Sequence, residues 1–306
     1  MNLPVLIIGF NRPREFNQVL MNLKKIGVTN LFISLDGPRE QNFEDVRARK
    51  EILNIINNID WCKPLVNLIP QNCGCRKACN DAISWFFSHV EYGIINEDDI
   101  ILSKDFFSDC EYFLKEYQNN QNIMSISAHS EFSSGTGMTH FLSPFCRFWG
   151  WATWSDRWSN HLDCVKKMQS MNFLSAYRSL PKFIKSFRIS AIINASKQGR
   201  LSAWDYEANI SHSILDVKSI TPYGNYVTNI GCGNLDATHT ADMDSPQSVY
   251  SISKTRGKLP VIEMNELEKD MADLIRARCH MEPLSFFGEI RSILGIMYRL
   301  FMGIKK

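Results

Sequence analysis

The first third of the chain alternates between two hydrophobic rhythms, and no other feature narrows the fold as much. Val5 to Gly9 (VLIIG) is a short continuous apolar run, the pattern of a strand covered on both faces. From Arg14 to Ile26, the residues Phe16, Val19, Leu20, Leu23 and Ile26 fall at helical spacing. Leu31 to Leu35 (LFISL) predicts a second strand, stopped by Asp36-Gly37-Pro38. Phe43 to Ile59 reads as a charged helix, Leu65 to Ile69 as a third strand, Arg76 to Val90 as a further helix, and Tyr92 to Asn96 as a fourth strand. Repetition of this order predicts an α/β fold, a mostly parallel Rossmann-like sheet sandwiched by helices. Ligands of such sheets gather at the carboxyl ends of the strands. Asn11, Arg12, Asp36 and the triplet Glu97-Asp98-Asp99 each follow a predicted strand, so they are expected to converge on one rim.

Later segments are less regular. Asn122 to Ser127 and Asn225 to Ile230 are candidate strands, and Phe173 to Gln198 reads as helix broken at Pro181. Ser130 to Met138 and Gly231 to Thr240 read as loops, and residues 241–260 carry no pattern. The simplest division is a catalytic domain over residues 1–240, with a nucleotide half to about 127 and an acceptor half from 128, followed by a helical C-terminal extension over 241–306. Within that extension Phe286, Ile290, Ile293, Met297, Leu300 and Ile304 share one helical face beside basic residues. That face suits a membrane interface, the protein's own core or a dimer partner equally well.

The net charge of +2 comes from 34 basic and 32 acidic side chains, which gives no case for nucleic-acid binding. The first residues lack the basic flank and cleavage site of a signal peptide, so a cytoplasmic protein is expected, with peripheral contact on the inner face of the cell membrane as one of the alternatives for the tail. Its nine cysteines should then be reduced thiols. Cys73, Cys75 and Cys79 raise the question of zinc, but no CxxC pair repeats and no fourth ligand lies nearby, so buried free thiols are the better reading.

Three consecutive carboxylates between apolar residues repel one another if buried together. A hard divalent cation removes that repulsion, and Mg2+ or Mn2+ takes one or two carboxylates and completes its shell with phosphate and water. The bland reading of Glu97-Asp98-Asp99 is an exposed acidic turn leading to a helix start at Asp105. Trp204-Asp205-Tyr206 suits sugar recognition or a general base, or else a helix start with an acid in its first turn and aromatics in the core. Trp149, Trp151, Trp154 and Trp158 form an acceptor platform or core. Gly231 to His239 offers backbone N–H groups to phosphates, or is a surface turn.

In this order, PVLIIGFNRP, LFISLDGPRE, INEDDI with KDFF, CRFWGWATW, AWDYE and NIGCGNLDATHT resemble the GT-A glycosyltransferases related to N-acetylglucosaminyltransferase I and their bacterial polysaccharide-cluster relatives, over residues 3 to about 240. The resemblance implies that Asp99 ligates Mn2+ or Mg2+, that Asp98 meets the ribose and Glu97 the donor sugar, and that Asp36 reads the base. It places Asn11, Arg12 and His239 on the nucleotide-sugar, Trp204 against the sugar, and Asp205 as catalytic base. Glu207 competes for that last role, because Tyr206-Glu207-Ala208 replaces the family's usual sequel. The implied activity is inverting transfer from a nucleotide-sugar, with UDP-GlcNAc as one candidate, to a glycan or lipid-linked acceptor in surface polysaccharide synthesis. A sugar nucleotidyltransferase and a non-catalytic glycan-binding or scaffold protein of the same fold are the rivals.

Overall fold

The structure, a computed structural model, describes residues 2–130 and 139–231. Its first part repeats the strand–helix unit: β1 (Val5–Gly9), α1 (Pro13–Ile26), β2 (Leu31–Leu35), α2 (Phe43–Asn57), β3 (Leu65–Leu68), α3 (Cys75–Phe87) and β4 (Tyr92–Glu97). Then come β5 (Ile100–Leu102), α4 (Lys104–Glu116), β6 (Ile123–Ser127), β7 (His140–Ser143), β8 (Trp151–Trp154), α5 (Ser155–Ser170) and α6 (Phe173–Ser179). A 3₁₀ turn over Lys182–Ile184 leads to α7 (Phe187–Lys197), α8 (Asp205–Leu215), β9 (Lys218–Pro222) and β10 (Val227–Asn229).

Eight strands form one sheet in the order β3-β2-β1-β4-β8-β6-β9-β7. The strands β3, β2, β1 and β4 are parallel. Strand β8 runs against both β4 and β6, so β6 points the same way as β4, and β9 runs parallel to β6. Strand β7 is antiparallel to β9. This is the mostly parallel α/β sheet that the alternation predicts. Its carboxyl-end rim carries the ends of β1, β2, β4, β6 and β9 and the start of β8.

The continuous apolar run of β1 is explained by burial on both sides. Val5 and Ile7 pack with Phe16, Val19, Leu20 and Leu23 of α1, whereas Leu6 and Ile8 join Ile83 and Phe86 of α3. Alternate side chains of a strand point to opposite faces, so each face of the sheet has its own cluster. Pro13 opens α1 where its missing N–H costs nothing. Gly27 closes that helix in the left-handed conformation (φ 88°), its N–H donating to the Leu23 carbonyl.

Four strands are not anticipated from the sequence. The apolar residues of β5 flank the acidic triplet, β7 and β9 have no sequence reading, and β8 lies inside the tryptophan block. Strands of three to five residues are too short to display a clear period. Pro181 does break the 173–198 helix, into α6, the 3₁₀ turn and α7. Strand β5 pairs antiparallel with β10, Ile100 opposite Asn229, in a separate two-stranded sheet. The extension over 241–306, with the apolar face of 284–306, lies outside the described residues. Among the described residues, no helix is long and apolar enough to cross a membrane.

Candidate functional site

Glu97 ends β4, Asp98 and Asp99 form the turn into β5, and the triplet is not an exposed cap. Asp98 and Asp99 are buried. Helix α4 is capped by Ser103, whose hydroxyl accepts from the Phe106 N–H at 3.4 Å. Two groups from the loop after β1 reach the triplet. The Phe10 N–H donates to Asp98 Oδ2 at 3.0 Å. Arg12 Nη1 lies 2.5 Å from Asp99 Oδ2 and 3.7 Å from Asp98 Oδ1. The two loops meet because β1 and β4 are adjacent and parallel, Ile8 opposite Glu97.

Crowding disturbs the protonation of all three acids. Burial and the Asp99 charge push the Asp98 carboxyl up to about 7, against the pull of Arg12 and Phe10. Burial raises Glu97 well above the carboxylate range, with the charges of Asp99, Cys75, Asp98 and Asp205 pushing the same way. Burial raises Asp99 too, although Arg12 opposes it. One guanidinium against three carboxylates leaves a deficit of positive charge, which is the condition a cation satisfies.

The donor set fits a hard divalent ion of one kind only. Among the described residues, no group of three or more His, Cys, Asp or Glu side chains is arranged to hold a metal. Neither a closed zinc cage nor an all-protein calcium cage is therefore formed there. Asp99 Oδ1, however, is buried and has no hydrogen-bond partner. An orphaned carboxylate oxygen suits an ion that takes one carboxylate and draws its other ligands from phosphate and water. The chain itself comes close from the other side: the Ile230 N–H donates to the Asp99 carbonyl at 2.8 Å. A Cβ on Gly231 would lie 2.2 Å from Asp99 Oδ2, so only glycine fits against this acid.

The other expected donor-side residues have partners of their own. Asp36, at the end of β2, accepts from the Gly37 N–H and the Cys73 N–H through Oδ1, and from Asn72 Nδ2 through Oδ2. It pins the loop before α3 to the end of β2. Gly37 lies against the backbone of Gln71, where a Cβ would come within 2.3 Å. Asn11 Nδ2 donates to Asp45 Oδ1 at 2.9 Å. Asp45 also holds Arg39 through both oxygens, and the Arg39 contact is the main reason its carboxyl sits at about 2. Asp45, Arg39 and Asn72 were not singled out in the sequence. Asp45 looked like one more acid in a charged helix.

On the facing side, Asp205 is the first residue of α8 and exposed, whereas Glu207 is buried. Arg76 grips Glu207 with two parallel bonds, Nε to Oε2 at 2.7 Å and Nη2 to Oε1 at 2.8 Å, and Ser196 Oγ donates to Oε1 as well. Of the two acids considered for the base, only Asp205 presents its carboxylate to solvent. It follows Trp204, whose ring stacks on Trp151 at the start of β8, and so stands on the side of the same rim.

The tryptophan block divides. Trp151, Trp154 and Trp158 are core, as is Trp204, whose ring stacks on Trp151 at 5.6 Å and meets Phe148 at 4.7 Å. Trp149 is half-buried, with Arg147 over its ring at 5.8 Å and His129 beside it at 5.0 Å. Since Ile95 of β4 pairs with Trp151, Trp149 stands two residues beyond, at the triplet's rim. His239 lies outside the described residues. The seven cysteines among the described residues are free thiols.

No known protein-family profile matches the chain, and no curated protein matches its sequence. Some solved structures resemble it in part. The mannosyltransferase PcManGT from Pyrobaculum calidifontis, in complex with GDP-Man and Mn2+, is 11% identical over 70% of this chain and 74% of that one, with a TM-score of 0.35. Mannose-1-phosphate geranyltransferase from Thermus thermophilus is 7% identical over 74% and 75%, with a TM-score of 0.34. HddC from Yersinia pseudotuberculosis is 13% identical over 50% and 77%, with a TM-score of 0.31. At this distance the likenesses say nothing about activity, which has to be argued from the site.

Proposed function

We propose that the protein is a metal-dependent, inverting glycosyltransferase of the GT-A type. The donor is a nucleotide-sugar, with a UDP-sugar as the first to test. The acceptor is a glycan or a lipid-linked sugar of the kind used in surface polysaccharides. The observation that carries this reading is the acidic triplet at the carboxyl end of β4, with Asp98 and Asp99 buried. Its Asp99 keeps one oxygen without a hydrogen-bond partner, while an exposed acid, Asp205, stands on the side of the same rim.

In this reading Asp99 holds Mn2+ or Mg2+, which when bound neutralises the diphosphate leaving group. Arg12 and Asp98 lie on the nucleotide side, and Glu97 faces the donor sugar. Asp36 acts on the base side chiefly by fixing the Asn72–Cys73 loop, since both its oxygens already accept protein donors. Asp205 takes the proton of the acceptor hydroxyl as that oxygen attacks the anomeric carbon and the nucleoside diphosphate departs. Trp204 supports the sugar pocket from within the core, and Trp149 offers the acceptor a partly exposed ring.

Purified protein with Mn2+ is expected to hydrolyse or transfer at least one member of a nucleotide-sugar panel, with inversion visible by NMR of the product. Release of pyrophosphate from a nucleoside triphosphate and a sugar phosphate, without turnover of any nucleotide-sugar, would make it a sugar nucleotidyltransferase instead. Binding of a glycan with no turnover of either kind would leave a non-catalytic protein.

A further inference from the structure

We propose that the surface formed by α6, the 3₁₀ turn and α7 docks on an anionic lipid bilayer. Residues 164–204 hold eight basic side chains and no acid. The whole chain carries 34 basic and 32 acidic side chains, so the remainder of it has more acid than base. Charge is therefore segregated, which the small net value conceals. Little of it is compensated locally. Lys166 pairs with Asp163, just outside the segment. Lys185, Lys197 and Arg200 donate to uncharged oxygens, the carbonyls of Arg178 and Met171 and the side chain of Gln198. An unbalanced positive surface attracts a negative partner.

Apolar groups stand among these bases, and they select the partner. Phe187 stacks on Phe173 at 5.9 Å and on Tyr177 at 4.5 Å. Lys185 Nζ lies 5.4 Å over the Tyr177 ring, and its backbone N–H donates to the Lys182 carbonyl at 3.3 Å. Arg178 follows Tyr177, and Arg188 follows Phe187. Arg178 and Lys182 are exposed, and Leu174, beside Phe173, is 57% exposed. Bases around half-buried rings and a bare leucine suit a bilayer interface: the cations meet anionic head groups while the apolar residues enter the acyl boundary. A nucleic acid suits this surface less, because the rings that would stack on its bases are stacked on one another. A second copy of the same surface would be repelled by like charge. Helix α7 also leads to the rim, since Ser196 Oγ donates to Glu207 and Arg200 shortly precedes Trp204-Asp205. A bilayer under this surface would present a lipid-linked acceptor on the side of Asp205. That consequence rests on the transferase reading, whereas the bilayer contact does not.

The test is co-sedimentation of the full-length protein with vesicles of equal parts phosphatidylcholine and phosphatidylglycerol, and with vesicles of phosphatidylcholine alone. Wild type should bind the mixed vesicles, ignore the neutral ones and come off as salt rises. Each charge near the surface contributes about fivefold in affinity, so Arg178→Gln, Lys182→Gln and Lys185→Gln together should weaken binding about a hundredfold. Leu174→Gln should weaken it about tenfold, a loss that charge attraction alone does not give. Lys25→Gln, Lys50→Gln and Lys63→Gln together remove the same charge from exposed positions elsewhere and should bind like wild type. Wild type that ignores the mixed vesicles overturns the proposal, as do equal losses from the two triple variants or no loss from the first. Binding of a single-stranded oligonucleotide that the first triple variant loses, with no vesicle binding, makes the partner a nucleic acid instead. A first triple variant that melts at a lower temperature without lipid, yet binds vesicles like wild type, means that the surface serves a contact within the chain, and the proposal fails.

Discussion

Among the described residues, Arg76 and Arg12 each reach a buried carboxylate, and the two contacts are built differently. Arg76 meets Glu207 through two nitrogens and both oxygens, with Ser196 adding a third donor. It joins α3 to α8 and leaves nothing for a ligand to improve. Arg12 meets Asp99 through one nitrogen, with one oxygen of that acid unserved and two more acids adjacent. A saturated buried pair holds a frame together, since removing either member strands a charge. An unsaturated pair amid surplus acid leaves room for a further cation. The contrast assigns the α3–α5–α8 side to support and the β1–β4 rim to binding.

The contrast breaks most visibly in turnover. Asp205→Ala should lose activity by about 10²- to 10⁴-fold, the usual worth of a general base, while nucleotide binding with Mn2+, measured by calorimetry, stays intact. Retained activity in that variant would return Glu207 to contention as the base. Next in size is the frame. Arg76→Met should cost about 3–5 kcal/mol in urea unfolding, because Glu207 is then left charged and buried. Asp99→Asn should have the opposite profile, abolishing Mn2+-dependent UDP binding while leaving the protein as stable as before or more so. Should both variants destabilise equally, the division between frame and rim has no basis.

Acid should find the frame first. Burial holds His161 down at about 3 and His212 at about 4, so both are neutral in the fold. His161 Nδ1 meets Ser211 Oγ at 2.7 Å, and His212 meets Ser125 Oγ at 3.2 Å and the Ala208 carbonyl at 2.7 Å. The unfolded chain takes up protons below about 6.5 and the fold does not, so stability is complete above that pH and falls as pH drops toward 4. The loss should reach about 2 kcal/mol per histidine near pH 5, and His212→Gln should flatten the slope. The smallest expected effect is at the rim: Glu97→Gln should raise stability by about 1 kcal/mol by relieving repulsion.

Much of the scaffold was legible because burial on both faces writes an unbroken apolar run into β1 and largely apolar runs into β2 and β4. The convergence of Arg12 and the triplet was legible too, because parallel strands put their ends together. What the residues could not reveal was commitment. Asn11, Asp36 and Glu207 look as available in the sequence as Asp99 and Asp205. Their availability is decided by distant partners, Asp45, Asn72 and Arg76, which only the packed chain brings near. The tryptophans show the same limit: one ring of the block is half-buried at the rim and its neighbours are core, a distinction set by strand register and not by residue type.

The pairing of β10 with β5 has a practical consequence for anyone cutting the chain. Residues 227–231 are clipped beneath the acids, Val227 opposite Leu102 and Ile230 bonded to the carbonyl of Asp99. A fragment that stops short of Gly231 would strip away the segment packed against Asp99 as well as the tail. A fragment for biochemistry therefore has to run through that glycine.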